Sequence, residues 1–175
     1  MKKIILITGG QRSGKSMYAE RLALSMTDQP IYFATARIWD EEFKERVKRH
    51  QARRGDNWTN IEEEKYLSQH TIYNKVCVVD CITLWCTNFF FDANQNNPKE
   101  PVIDEALDAI KKEFDQFTAQ DATFIFVTNE IGSGGVSDNV VQRRFTDMEG
   151  WMNQYVASKA DEVVLMVSGI PVKIK

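Results

Sequence analysis

Apolar residues fall in short runs at Lys3–Thr8, Ile31–Thr35, Val76–Asp80, Thr123–Thr128 and Glu162–Val167, with amphipathic stretches between most of them. That alternation predicts an α/β fold, a mainly parallel sheet with helices on both faces. The helical periods fall over Ser13–Met26, Asp40–Arg54, Pro101–Ala119 and Asn139–Ala160. The second is highly charged; it opens on an Asp cap and an acidic first turn and ends near Gly55. At the end of the chain, Val163–Val167, Ser168-Gly169 and Ile170–Ile174 read as a hairpin with a Gly-containing turn. The polar, Pro-bearing stretch Asn94–Pro101 predicts an exposed connection. No repeat or linker-like tract interrupts the pattern, so one domain is expected over residues 1–175.

Composition narrows the class. The chain has 175 residues, 43% of them apolar and 27% charged, as in soluble globular proteins. A net charge of −3 argues against a nucleic-acid surface, which is normally basic. No apolar run approaches the ~20 residues that span a bilayer. Met1-Lys2-Lys3 and the run after it resemble a signal peptide, but the apolar core stops at Thr8-Gly9. The expectation is a first strand and a cytoplasmic protein. Cys77, Cys81 and Cys86 lie close together, yet no second cluster completes a zinc site, so structural thiols are expected.

Chemistry begins directly after the first run. Gly9-Gly10-Gln11-Arg12-Ser13-Gly14-Lys15-Ser16 matches G-x-x-x-x-G-K-[ST], with a strand before it and a helix after it. The glycines let several backbone N–H groups converge on one anion at a helix N-terminus. Lys15 supplies a positive charge for the β- and γ-phosphates, and the Ser16 hydroxyl can hold Mg²⁺. The chain is therefore expected to bind a nucleoside triphosphate. Arg12, inside the loop, is a further candidate contact to phosphate or substrate.

Asp80 closes the third run, where an acid is placed to hold Mg²⁺ directly or through water; the other reading is a capping residue at a strand end. In the charged helix, His50 shares a face with Val47 and Phe43 and is surrounded by Arg46, Arg49, Arg53 and Arg54. A histidine on an apolar face is commonly a packed residue. Four nearby arginines would lower its pKa and draw phosphate, which makes it a nucleophile or a phosphate ligand. The residues alone leave both readings open.

The order of several segments goes further. It runs from the phosphate loop through Tyr32-Phe33-Ala34-Thr35-Ala36, Arg46-Val47-Lys48-Arg49-His50 and Trp58 to Asp80-Cys81-Ile82-Thr83-Leu84-Trp85 with Thr87-Asn88. Thr128-Asn129-Glu130-Ile131-Gly132, Arg144-Phe145, Asp147, Gly150, Asn153-Gln154, Ala160-Asp161 and Gly169-Ile170-Pro171 continue it. Over essentially the whole chain this resembles the bifunctional adenosylcobinamide kinase / adenosylcobinamide-phosphate guanylyltransferase family of cobalamin assembly. The resemblance implies a RecA-like P-loop fold and two transferase reactions. ATP or GTP phosphorylates the aminopropanol hydroxyl of adenosylcobinamide. GTP then guanylylates a histidine, releasing pyrophosphate, and the GMP passes to the cobinamide phosphate to give adenosyl-GDP-cobinamide.

His50 matches the family's guanylylated histidine. Some members carry a His pair here, whereas this chain has Arg49-His50. By position, Thr35, Ala36, Arg37, Gln51, Ala52, Arg53, Arg54, Glu62 and Asp80 match segments that contact the guanine nucleotide. A carboxylate at Glu62 can accept two hydrogen bonds from guanine, although Glu62-Glu63-Glu64 also reads as a solvated acidic turn. The implied cofactor is Mg²⁺, held by Ser16 and Asp80. The implied partners are corrinoid substrates and further copies of the chain, a homo-oligomer and specifically a trimer. A single-function kinase with a structural His50, or a nucleotide-dependent switch, are the rival readings. Gly132-Ser133-Gly134-Gly135 is either a substrate loop or a connection. His70 reads as an exposed helix-end residue, and Phe89-Phe90-Phe91 as core or interface packing.

Overall fold

Each apolar run becomes a strand in the computed structural model, which describes residues 1–38, Glu41, Glu45 and 54–175. The strands are β1 (Lys3–Gly9), β2 (Ile31–Ala34), β3 (Thr59–Glu62), β4 (Val76–Asp80), β5 (Thr123–Val127), β6 (Glu162–Val167) and β7 (Ile170–Lys173). They form one sheet in the order β3-β2-β4-β5-β1-β6-β7. All neighbours are parallel except β6 and β7, the expected hairpin.

The helices are α1 (Lys15–Met26), α2 (Ile82–Ala93), α3 (Asp104–Phe117) and α4 (Val140–Lys159). Successive strand residues alternate between two cores, as the period of two requires. Ile5, Ile7, Val78, Ile125 and Val127 pack with Ala19 and Ala23 of α1. Ile4, Leu6, Val79, Phe124 and Phe126 face the opposite way, among Trp85 and Phe90 of α2, Phe114 of α3 and Met152 of α4. Both faces are covered, so the strands read as continuous apolar runs.

Two elements lie outside the sequence expectation. β3 is a mostly exposed edge strand, Thr-Asn-Ile-Glu, held by its backbone pairing with β2 and carrying no apolar run. Helix α2 is apolar nearly all round and buries Ile82, Trp85, Cys86, Phe89 and Phe90, so it shows no amphipathic period. Its Phe91 is exposed, while Phe89 and Phe90 are core. The charged helix expected over 40–54 lies outside the described residues, apart from Glu41 and Glu45, which are helical, and Arg54. The connection at 94–101 is exposed except at its ends: Asn94 is buried and ties Phe90 O, Val102 O and Val102 N together, and Pro101 is also buried.

Candidate active site

Parallel strands deliver their carboxyl ends to one edge, and the phosphate loop, Asp80 and Glu62 all lie along it. The loop is built around two glycines. Gly9 has φ +146°, and a Cβ there would lie 2.5 Å from Met166 O of β6; Gly14 has φ +96° and caps α1 without a side chain. Three backbone bonds fix the loop from outside and within. Gly169 N donates to Ser13 O at 2.9 Å, Glu130 N to Gly9 O at 3.1 Å, and Ser13 N to Gly10 O at 3.3 Å.

Lys15 is buried, and its Nζ donates to Gly10 O at 2.6 Å, so the ammonium folds back over the loop it serves. The hydroxyls of Thr8 and Ser13 are buried with no hydrogen-bond partner among the described residues. Buried polar groups are normally paired, so orphaned hydroxyls at this loop fit a site built for an anion's oxygens. Arg12, at φ +59°, is exposed at the rim.

Across β5 stands Asp80, the last residue of β4. Its Oδ2 accepts a 2.7 Å hydrogen bond from Tyr32 of β2. Burial, then the Asp80 charge and this bond, raise the Tyr32 pKa well above its ordinary value, so the phenol stays a donor. The Arg54 guanidinium lies 3.6 Å from the centre of the Tyr32 ring, which Trp58 meets edge-on at 5.9 Å. Arg54 Nε donates to Asn60 at 2.7 Å, while one terminal nitrogen is buried and ion-paired with Glu20 at 3.6 Å, with no hydrogen-bond acceptor among the described residues. The hydroxyl of Ser16 and the carboxylate of Asp80 are hard oxygen donors of the kind Mg²⁺ takes alongside water and phosphate. Among the described residues no group of three potential metal-ligating side chains occurs.

The other expected nucleotide contacts separate into two groups. Thr35 Oγ1 donates to Cys81 O at 2.8 Å and accepts from Cys81 N at 2.9 Å, stitching the end of β2 to the residue after Asp80. Asn88 of α2 donates to Thr35 O and Glu64 O, tying the backbone just before Ala36 to that of Glu64, a partner of Arg37. Arg37 makes a bidentate pair with Asp92, at 2.8 and 3.1 Å, and bonds Glu64 at 2.7 Å. Glu62 ends β3 opposite Ala34 and is exposed. His50, Gln51, Ala52 and Arg53 lie outside the described residues.

Three site groups escape the motif-based reading: the Tyr32 hydroxyl, the Asn88 amide and Glu149. Glu149 of α4 is buried at the same edge, its Oε1 3.1 Å from Thr83 Oγ1 and 3.3 Å from Thr128 Oγ1. Burial pushes its pKa up to about 7, against the lowering effect of the neighbouring Asn153, Thr83 and Thr128 side chains. A signal for it did exist: Glu149, Met152, Asn153 and Val156 form one buried stripe at spacings of three, four and seven, with a carboxylate on it.

The remaining expectations resolve simply. The three cysteines are free and buried, and burial raises their pKa values, Cys81 to about 12. They are inert packing thiols. His70 ends a 3₁₀ turn and is half-buried rather than exposed, edge-on to Phe33 at 5.5 Å and 3.5 Å from Glu63. Gly132–Gly134 form a 3₁₀ turn. No helix among the described residues is long and apolar enough to cross a membrane.

The family described as cobinamide kinase / cobinamide phosphate guanyltransferase matches residues 5–174. The chain belongs to that family. It is therefore a transferase, and the family's two activities are both nucleotide-dependent transfers. The chain is 38% identical over 181 residues to the bifunctional adenosylcobalamin biosynthesis protein CobU of Escherichia coli, covering 98% of this chain and 99% of that protein. It is 34% identical over 176 residues to CobP of Pseudomonas aeruginosa, covering 97% and 96%. An ATPase of a bacterial type III secretion system shares the fold at a TM-score of 0.57 and 12% identity; it aligns with 94% of this chain and 51% of its own. That likeness supports a RecA-like P-loop architecture.

Proposed function

We propose that this chain phosphorylates adenosylcobinamide and then guanylylates the product, as one domain over residues 1–175. In the first reaction the aminopropanol hydroxyl oxygen attacks the γ-phosphorus of ATP or GTP. The bond to the β,γ-bridging oxygen breaks, the nucleoside diphosphate leaves, and the hydroxyl proton is released. The amides of Gly9 to Ser16 and the Lys15 ammonium bind the phosphates and stabilise the charge that moves onto the leaving oxygen. Ser16 and Asp80 would hold Mg²⁺, which supplies further charge neutralisation when bound. Tyr32 orients Asp80.

In the second reaction a neutral His50 nitrogen attacks the α-phosphorus of GTP and pyrophosphate leaves. A phosphate oxygen of cobinamide phosphate then attacks that phosphorus, the P–N bond breaks, and the imidazole is restored. Thr35, Ala36, Arg37, Gln51, Ala52, Arg53, Arg54, Glu62 and Asp80 are the residues proposed to contact the guanine nucleotide. The Arg54 terminal nitrogen, ion-paired with Glu20 at 3.6 Å but with no hydrogen-bond acceptor among the described residues, supports a phosphate contact there. The same reading makes the protein a cytoplasmic homotrimer, which light scattering would test.

The single observation that carries the proposal is the placement of the phosphate loop and Asp80 on one sheet edge in a chain whose family match runs over residues 5–174. The test uses GTP labelled at the α-phosphate. Acid-labile, alkali-stable label on the denatured chain, lost in His50→Ala, is the expected result. No label, or undiminished label in His50→Ala, overturns the guanylyl-histidine step.

A further inference from the structure

Glu149 anchors a connected set of hydrogen bonds at the sheet edge that carries the phosphate loop, and its proton count is informative. Thr83 Oγ1 accepts from both Asn129 N, at 3.0 Å, and Asn129 Nδ2, at 3.3 Å. With its lone pairs taken, its own proton is directed at Glu149 Oε1, 3.1 Å away. Thr128 Oγ1 has its shortest contact, 2.7 Å, with Asn153 Oδ1, and Asn153 is oriented by donating from Nδ2 to Asn129 O at 3.1 Å. Thr128 thus spends its one proton on Asn153. Thr128 Oγ1 also lies 3.3 Å from Glu149 Oε1 and 3.5 Å from Thr83 Oγ1; with its proton on Asn153, the Glu149 contact becomes a hydrogen bond only when the carboxyl carries the proton.

The segment held in this way separates the two halves of the phosphate site. Strand β5 lies between β1 and β4, and Asp80 is in register with Val127. Just beyond, Thr128 N donates to Ile7 O at 3.0 Å and Glu130 N to Gly9 O at 3.1 Å. A shift of Thr128-Asn129-Glu130 therefore changes the spacing between the loop that grips the triphosphate and the acid that faces it.

We propose that Glu149 is a positioning residue for phosphoryl transfer, working as a protonated carboxylic acid that donates to Thr128 and thereby fixes Thr128-Asn129-Glu130 between the phosphate loop and Asp80. The inference rests on the kinase reading above. On ionising, the carboxylate competes with Asn153 for the Thr128 proton, and the hold on Asn129 loosens. The ionisable groups facing Glu149 are Glu130, from the segment after β5, and Cys86 of α2. Burial, followed by the Glu149 charge, holds the Cys86 thiol neutral well beyond the range in which Glu149 titrates. Burial also brings the Glu149 carboxyl to about 7, so the change of state falls near neutrality.

The test is the pH dependence of kcat for cobinamide phosphorylation in the wild type and in Glu149→Gln, which donates permanently to Thr128. In the wild type kcat is expected to fall roughly tenfold per pH unit above neutrality. Glu149→Gln should keep the low-pH kcat and lose that limb; a variant that keeps the wild-type limb overturns the proposal. Infrared spectroscopy of the wild type reads the acid itself, independently of turnover and of how the variant folds. A protonated carboxylic acid band is expected to disappear as pH rises through neutrality. Absence of the band at mildly acidic pH overturns the proposal whatever the kinetics. A band that titrates in a protein unable to phosphorylate cobinamide instead sinks the kinase reading, and the role in transfer with it.

Discussion

The hydroxyl of Tyr32 donates a 2.7 Å hydrogen bond to Asp80 Oδ2, while the face of the same ring carries the Arg54 guanidinium at 3.6 Å. One side chain thus links the acid at the end of β4 to the first described residue after His50. Tyr32→Phe keeps the ring and removes the donor. A hydrogen bond to a charged group contributes about 1.5–3 kcal/mol. The expected result is a roughly tenfold higher Mg²⁺ requirement for phosphoryl transfer, with Arg54 still packed and Tm lowered by several degrees. The measurement is rate against Mg²⁺ at saturating triphosphate, and an unchanged requirement would detach Asp80 from the metal.

Lys15 folds onto Gly10 O at 2.6 Å, which holds its ammonium at the loop. Lys15→Ala removes the charge from a position already buried, and the backbone bonds that shape the loop do not depend on that side chain. Phosphorylation of cobinamide should drop by about 10³ or more while the fold is kept, because charge stabilisation of this kind supplies several kcal/mol to the transition state. Turnover retained in a folded Lys15→Ala protein would place the γ-phosphate elsewhere.

Stability against pH should show Glu149 directly. Its folded-state pKa is raised from 4.5 to about 7, so between these values the folded chain binds more protons than the unfolded one. The contribution is fully present below the lower value and is lost as pH rises through the upper one, up to about 3 kcal/mol from the size of the shift. Thermal melts of wild type and Glu149→Gln should therefore converge, or cross, in favour of the variant as pH rises from about 4.5 to about 7. A difference in Tm that does not vary with pH would contradict a buried acid at this position.

The Arg37 cluster should act in the opposite sense. Its hydrogen bonds to Asp92, joined by Lys65 at 3.1 Å, hold the Asp92 carboxyl down at about 2 from an ordinary 3.8. A depressed pKa contributes stability above the ordinary value, and that stability is lost as pH falls through the folded one. Asp92→Asn should flatten acid unfolding between about pH 4 and pH 2. The same variant frees Arg37 from its bidentate partner and should tighten GTP binding if Arg37 contacts the nucleotide, which calorimetry would measure.

Backbone-driven features were legible in the sequence and pairing-driven features were not. The runs at Ile4–Ile7 and Cys77–Val79 are buried on both faces, so they announce themselves without a partner. Thr59–Glu62 becomes a strand because β2 offers it hydrogen bonds, which no local pattern records. Helix α2 is missed for a related reason, since a helix buried on most sides loses its amphipathic period. In the site, the glycines and Lys15 are fixed by a motif whose chemistry is local. Tyr32 reaches Asp80 across 48 positions, and Thr83 reaches Glu149 across 66, so these contacts are properties of the sheet edge.

The bond from Gly169 N to Ser13 O joins the last hairpin to the phosphate loop, 156 positions back along the chain. Met166 O of the same hairpin is what excludes any side chain at Gly9. During vectorial synthesis the loop sequence emerges well before β6 and β7, yet its anion-binding shape is completed only once those strands have been made and docked. Nucleotide capture is in this sense a late event of biogenesis. A triphosphate bound by the finished loop would brace the C-terminal hairpin in return, acting as a folding ligand before it acts as a substrate.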